Sequence, residues 1–233
     1  MKLVEVLQHT IWVDAIRSAE PIVLDCGANR GDFARWAVDH LGATVYAFEA
    51  DPILAATLPT VPRLHPYNVA IAGEDGTMQL TRAKNRCTSA CFNPQLEGTE
   101  TFTIAARSLE SIRQEHGLAF IDLIKLDIEG AEIEVLENIS TSFLAHVGQI
   151  SCEFHDFLDA TQRPIIRKLL QRLQQSGFVV MPISFWSYGD VLLINRRFQS
   201  VRRWDRLAIA IYKYGTGIQR ILSRSLSRVT RRG

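Results

Sequence analysis

Short apolar runs of strand length alternate along the chain with stretches whose apolar residues recur every three or four positions. The runs PIVLDC (21–26), ATVYAFEA (43–50), RLHPYNVAIA (63–72), FIDLIKLD (120–127) and GQISCEF (148–154) read as strands. Between them, 31–42 carries Phe33, Trp36, Ala37 and Leu41 at helical spacing and stops at Gly42. Further helices are expected at 108–117, 130–139 and 163–177, with Pro52 opening a short one. GEDGTMQLTR (73–82) reads as a hairpin turn and strand, TFTIAA (101–106) as another strand, and 85–100 as a polar loop. FVVMPIS and GDVLLIN, near the end, resemble a closing hairpin. Residues 1–19, with Leu3, Val6, Leu7, Ile11 and Ile16 on one side, read as an amphipathic helix. Strands alternating with helices of 10–15 residues predict an α/β fold: a doubly wound, mostly parallel sheet closed by a C-terminal antiparallel edge strand.

Composition changes this picture little, because 233 residues with 47% hydrophobic and 22% charged content suit one soluble domain. Charge changes it more. Residues 201–233 hold nine Lys and Arg against one acid, Asp205, a net +8, whereas 1–200 carry −7. The expected organisation is therefore one domain over 1–200 and a basic amphipathic tail over 201–233. No run approaches the length of a membrane-spanning helix, and Glu5, His9 and Asp14 interrupt any signal-type stretch. Cys26, Cys87, Cys91 and Cys152 are read as free thiols in a reducing, cytoplasmic setting. Cys87 and Cys91 have no second pair at zinc-finger spacing.

On such sheets, ligands bind beyond the carboxyl ends of the strands. That singles out Asp25, Glu49, Asn68, Asp127 and Glu153. The first strand ends in VLDCGANRGDF (23–33), which is not a nicotinamide fingerprint. Asn29 stands where the middle glycine would let the backbone approach a pyrophosphate, and the Lys-Ser/Thr of a phosphate loop is missing. Asp25 would repel phosphates but suits a cationic or zwitterionic ligand. Glu49, about 20 residues on, is placed for ribose hydroxyls. Asp25, Gly27, Asn29, Gly31 and Glu49 together describe a nucleoside carrying an amino-acid group, which S-adenosylmethionine matches.

These motifs resemble those of the FkbM family of S-adenosylmethionine-dependent methyltransferases. VLDCGANRGDF looks like its first motif, VYAFEADP its second, and NVAIAGEDGTMQL its third segment. IDLIKLDIEGAEIEVLENI and ISCEFHDF are similar to its later signatures, and SLESI departs from its usual Leu-Asp pair at Glu110. The resemblance covers about 20–195 and excludes the tail. It implies a class I methyltransferase fold, Rossmann-like, and O-methylation of a sugar, glycan or similar hydroxylated metabolite. Ala28, Ala50, Asn68 and Val69, at or just after the ends of the first three strands, complete the expected cofactor contacts.

Methyl transfer to a hydroxyl needs alignment and a base for the proton. Asp127 and His155 are the catalytic candidates. A histidine titrates near neutrality, and Asp127 offers itself as base, hydroxyl acceptor or metal ligand. Asp127, Glu129, Glu153 and His155 offer hard ligands to Mg²⁺, but nothing in their spacing demands an ion, so no metal is assigned. Two other readings stay open: an RNA methyltransferase steered by the basic tail, and a nucleoside-binding protein without turnover. DIEG at the fourth strand end argues against DNA amino-methylation. In the tail, Trp204, Leu207, Ile211 and Tyr214 recur at helical spacing among arginines, as do Ile218, Ile221, Leu222 and Leu226. That pattern fits peripheral attachment to an anionic membrane, or packing on the body or on a second subunit.

Overall fold

A computed structural model describes residues 1–83, 99–184, 186–205, 207–209 and 211–212. The chain opens on a β-hairpin, β1 (Leu3–Val6) and β2 (His9–Trp12), followed by a 3-10 turn at Val13–Ala15. This corrects the helix expected over 1–19. Leu7 and Gln8 take φ of +48° and +71°, which suits a two-residue hairpin turn. Val4, Val6, Thr10, Ile11 and Trp12 are β-branched or aromatic and pack well on a pleated surface. All of β2 is buried. The Gln149 side chain bonds both the N–H and the carbonyl of Trp12, and the Asp190 carboxylate accepts from Thr10 N and Oγ1. Side chains far along the chain thus satisfy the hairpin backbone.

Then follow β3 (Ile22–Cys26), α1 (Asp32–Leu41), β4 (Thr44–Phe48), α2 (Pro52–Ala55), β5 (Leu64–Tyr67), β6 (Ala70–Ile71), β7 (Gly76–Ala83) and β8 (Thr99–Arg107). The second half comprises α3 (Leu109–Glu115), β9 (Ile121–Leu126), α4 (Glu132–Asn138), α5 (Thr141–Leu144), β10 (Val147–Cys152), α6 (Arg163–Gln175), β11 (Phe178–Pro182) and β12 (Val191–Asn195). Seven strands form the central sheet in the order β11-β12-β10-β9-β3-β4-β5. The neighbours from β10 to β5 are parallel, and β12 runs antiparallel to both β10 and β11. The last strand is antiparallel as expected. It lies one place in from the edge, however, and β11 is outermost. β5 forms the other edge, where Pro66 removes no ladder bond from a central strand.

The expected strand over 63–72 divides into β5 and β6. Between them Asn68 donates from Nδ2 to the carbonyls of Glu49 and Ala50, which pulls the chain out of the ladder. β6 joins a second sheet of order β6-β8-β7, beside the carboxyl ends of the main one. The core lies on both faces of the central sheet. Phe33 and Ala37 of α1 pack with Val23 and Val45 on one face; Leu136, Ile166 and Leu173 pack with Ile124 and Ile150 on the other. Burying a side chain the size of Phe33 is worth about 1.5–3 kcal/mol. Cys26 and Cys152 are free and buried in this core. Cys87 and Cys91 lie outside the described residues.

After β12 the chain turns helical at 203–205 and 207–209. Ile209 is buried with Trp12, Met181 and Leu192, so the start of the tail belongs to the body. Trp204, Leu207 and Ile211 remain exposed. Tyr214, Ile218, Ile221, Leu222 and Leu226, which carry the rest of the amphipathic pattern, lie outside the described residues.

Candidate active site

The turn between β3 and α1 is shaped by close approach. Gly27, at φ +78°, lies under the Asp127 carbonyl, where an added Cβ would fall 1.8 Å from that oxygen. Only glycine serves there, and the contact brings the ends of β3 and β9 together. Gly31, at φ +82°, precedes α1 and packs against Pro59, 2.3 Å from where its Cβ would be. Asn29 also takes positive φ, +52°. Its N–H donates to Glu49 Oε2 at 2.7 Å, and Asp51 N–H donates to Oε1 at 2.8 Å. Glu49 therefore ties two loops together and keeps one further lone pair on each oxygen. Burial holds its carboxyl above the usual glutamate range.

Gly27, Asn29, Glu49, Ala50, Val69 and Asp127 line one cavity together with Ile128 and Glu129. Phe48, Leu54, Ala70, Met78 and Leu80 supply its apolar walls. A second cavity, of about 250 Å³, adjoins it. His9, Ala28, Arg30, Asp32, Lys125 and Glu153 line that one, and Gly27, Asn29 and Asp127 border both. Three of the expected cofactor residues line neither. Asp25 is wholly buried and faces Lys125 Nζ at 3.3 Å, with no hydrogen bond to either of its oxygens. Gly31 shapes the turn. Asn68 spends its side-chain amide on the loop after β4.

Lys125 lies beneath the junction of the two cavities. Its ammonium donates to Gly27 O at 2.5 Å and lies 3.5 Å from Asp127 Oδ2. Burial alone would discharge it, but the Asp25 and Asp127 carboxylates raise its pKa. Asp127 is half-buried and has a histidine near each oxygen. His9 Nε2 stands 3.6 Å from Oδ2 and His155 Nε2 stands 3.8 Å from Oδ1. Burial pushes the Asp127 carboxyl up, but the His9 imidazole and the Lys125 ammonium outweigh it and hold the group at about 2.

His155 is ringed by acids, with Glu132 at 3.2 Å and Glu129 at 3.4 Å as well as Asp127. Burial would lower its pKa, but the carboxylates prevail and raise it to about 9. At neutral pH it is thus an imidazolium rather than the near-neutral titrating group expected from residue type. Burial and the Asp127 charge push Glu153 up to about 7. His9 is fully buried, its Nδ1 3.1 Å from Ser151 Oγ, and burial lowers its pKa.

Glu132 accepts from Ile128 N and Gly130 N and so fixes the turn before α4, where Glu129 and Gly130 both have positive φ. Sequence reasoning placed Asp127, His155 and Glu153 at neighbouring strand ends, and the structure gathers them. It did not place His9, whose only signal was the β-branched and aromatic run from Thr10 to Val13. Nor did it find Met78 and Leu80, although GTMQLTR alternates with period two.

A family model described as "Methyltransferase FkbM domain" matches residues 25–180. A Streptomyces tacrolimicus protein, "31-O-demethyl-FK506 methyltransferase FkbM", is 26% identical over 195 residues, covering 69% of this chain and 73% of its own. "2-O-methyltransferase NoeI" of Sinorhizobium fredii is 27% identical over 210 residues, covering 81% and 85%. Among solved structures, human "Methyltransferase-like protein 13 in complex with SAH" aligns over 88% of this chain and 85% of its own, with 13% identity and a TM-score of 0.49.

Proposed function

As the chain belongs to the FkbM methyltransferase family and its methyl donor is S-adenosylmethionine, we infer that the acceptor atom is a hydroxyl oxygen of a sugar, glycan or similar hydroxylated metabolite. The observation that carries this reading is the meeting of the two cavities at Gly27, Asn29 and Asp127. The apolar walls of the first suit a flat base, the buried Glu49 carboxylate in its lining suits a ribose, and Gly27 leaves no side chain between ligand and backbone. The residues present therefore fit the donor. The second cavity is polar and suits the amino-acid end of the donor and an acceptor rich in hydroxyls. The relatives described as a 31-O-demethyl-FK506 methyltransferase and a 2-O-methyltransferase favour oxygen as the atom methylated.

S-adenosylmethionine supplies an electrophilic methyl group, and its transfer to oxygen breaks the sulfur–methyl bond and leaves that electron pair on sulfur. The chain has to hold donor and acceptor in line and receive the hydroxyl proton. Alignment of this kind contributes about 7–11 kcal/mol, and a positioned proton acceptor about 10²–10⁴-fold. Asp127, at the junction, accepts the hydrogen bond of the acceptor hydroxyl and takes its proton as the oxygen–methyl bond forms. His155 holds that carboxylate from its other oxygen and, through Glu132, ties it to the turn before α4.

The test is a transfer assay with methyl-labelled donor against glycan, lipid, nucleic-acid and small-metabolite fractions. Label in the glycan or hydroxylated-metabolite fraction is expected. Label confined to nucleic acid would replace this reading with the RNA one, and donor binding without transfer to any fraction would leave a nucleoside-binding protein.

A cytoplasmic enzyme attached at the membrane periphery is the second part of the proposal. No helix among the described residues is long and apolar enough to cross a bilayer. Trp204, Leu207 and Ile211, spaced three and four apart, are exposed beside Arg202 and Arg203, while Ile209 between them faces the body. An anchored body facing outward along one apolar stripe suits an anionic lipid surface.

A further inference from the structure

Two sets of three ligating side chains share Asp127: His9 with Asp127 and Glu153, and Asp127 with Glu132 and His155. In the second set His155 Nδ1 also lacks a hydrogen-bond partner, but it faces Glu132 at 3.2 Å, whose carboxylate already accepts from the Ile128 and Gly130 amides. The first set is differently placed. His9 Nε2 has no hydrogen-bond partner although its residue is wholly buried, and it points toward Asp127 Oδ2 at 3.6 Å. A buried nitrogen without a partner costs about 1–3 kcal/mol unless something fills the gap. Its other nitrogen, Nδ1, faces Ser151 Oγ at 3.1 Å, which fixes the ring with Nε2 directed inward. A partner that fixes a ligand histidine through its second nitrogen is a usual feature of metal sites.

We propose that His9 Nε2, Asp127 Oδ2 and the Glu153 carboxylate bind one divalent first-row transition-metal ion at the floor of the second cavity. The candidate ligand atoms lie within 4.8 Å of one another. Bonds of about 2.0–2.2 Å to nitrogen and oxygen hold ligands about 3–4.4 Å apart, so a small inward shift completes the site.

Charge points the same way. Among the described residues, Asp25, Asp127, Glu129, Glu132 and Glu153 are gathered near Lys125 and His155, with Arg30 on the wall of the second cavity. The donor brings a sulfonium, an ammonium and a carboxylate, a net charge of +1. Acidic side chains still outnumber cationic ones at the site, an imbalance that a divalent ion reduces. Lys125 offsets only part of this charge, because its one ammonium is shared among the Gly27 carbonyl, Asp25 at 3.3 Å and Asp127 Oδ2 at 3.5 Å.

The mixed imidazole and carboxylate set selects the ion class. All-oxygen sites take Mg²⁺ or Ca²⁺, whereas one imidazole shifts preference toward Mn²⁺, Fe²⁺ or Zn²⁺. Three protein ligands leave coordination positions open toward the cavity. A hydroxyl oxygen bound there is more acidic, as water is on a metal. The ion site rests on the side chains alone. Its use in transfer rests on the methyltransferase reading.

The full chain, stripped with chelator, is titrated with Mn²⁺ and free ion is followed by electron paramagnetic resonance. S-adenosylmethionine affinity is measured on the same samples by calorimetry. One Mn²⁺ per chain is expected, weakened roughly ten-fold or more in both His9→Gln and Glu153→Gln. Glu153→Gln lies outside the hairpin and keeps the test open if His9→Gln melts early. A wild-type chain that binds donor but takes up no Mn²⁺ at millimolar concentration overturns the ion and leaves the methyltransferase reading standing. Mn²⁺ binding unchanged in Glu153→Gln also overturns it, because the ion then sits elsewhere. Mn²⁺ bound as expected with no donor binding supports the ion and removes the methyltransferase reading instead.

Discussion

The Asn29 amide donates to Glu49 Oε2 at 2.7 Å, so the turn after β3 and the end of β4 share one buried carboxylate. Glu49→Ala removes the acceptor of two backbone N–H groups and the ribose contact proposed for it. A hydrogen bond to a charged group is worth about 1.5–3 kcal/mol, which corresponds to roughly 10- to 150-fold in donor affinity. Calorimetry with S-adenosylmethionine reads this directly. Unchanged affinity would mean that the ribose is held elsewhere.

The same carboxylate gives donor binding a pH dependence. Burial raises the Glu49 pKa, and the ribose hydroxyls proposed to contact it would donate to its ionised form. The bound state then has the lower pKa of the two. Affinity is level above the free-state pKa and falls as pH drops through it, beginning above the ordinary glutamate range. Other acids of the site also titrate, so the measurement is the difference between wild type and Glu49→Gln. Parallel affinity–pH curves for the two would remove Glu49 from ribose binding.

Gly27 and Gly42 separate two effects of adding a Cβ. Both have positive φ, +78° and +63°, but Gly42 has open space where Gly27 has the Asp127 carbonyl at 1.8 Å. Gly42→Ala carries only the left-handed strain, about 1–2 kcal/mol. Gly27→Ala adds a clash with backbone and loses about 2 kcal/mol or more beyond that, together with donor binding. Equal melting temperatures for the two variants would contradict the close approach of β3 and β9.

Asp127→Asn keeps the shape of the side chain and removes its charge, and His155→Gln removes the cation on the other side. Turnover is expected to fall about 10²–10⁴-fold in Asp127→Asn and less in His155→Gln. Donor affinity should stay within a few-fold in both, because the nucleoside cavity is otherwise intact. Single-turnover transfer and calorimetry on the same preparations test this. Two variants with full activity on the true acceptor would end the assignment.

The parts legible in the sequence are those that local chemistry determines. Gly27, Asn29 and Gly31 mark a turn whose φ angles few other residues accept, and the apolar runs before Asp25, Glu49 and Asp127 specify parallel strands ending on one side. The hairpin of β1 and β2 was not legible, because its apolar residues satisfy helical spacing equally well. The decision comes from Gln149, Ser151 and Asp190, more than 130 positions away, which bond Trp12, His9 and Thr10. His9 was therefore invisible as a site residue. The place of β12 inside the sheet is likewise non-local, since it depends on pairing with β10 as well as with its hairpin partner. The charge of His155 depends on Glu129 and Glu132 being folded back over it by a turn with two consecutive positive φ angles.

Membrane attachment through the tail has a test that the fold itself refines. Ending the chain at Ser200 would remove Ile209 from its place against Trp12, Met181 and Leu192 and expose that patch, so any change in lipid binding would be ambiguous. A chain ending at Tyr212 keeps Ile209 and removes six of the nine basic residues of the tail. Each arginine near an anionic surface contributes about 1 kcal/mol, and salt screens the attraction over about 8 Å at physiological strength. In liposome co-sedimentation the full chain is expected to partition into anionic vesicles at low salt and to be released at high salt. The shortened chain should remain in solution at both. Replacing Trp204, Leu207 and Ile211 with Ala in the full chain should weaken partitioning at low salt while leaving the melting temperature close to wild type, since these side chains are exposed. Equal partitioning of the full and shortened chains into the vesicles would assign attachment to the Trp204, Leu207 and Ile211 stripe alone, and a full chain that stays in solution at low salt would end the membrane reading.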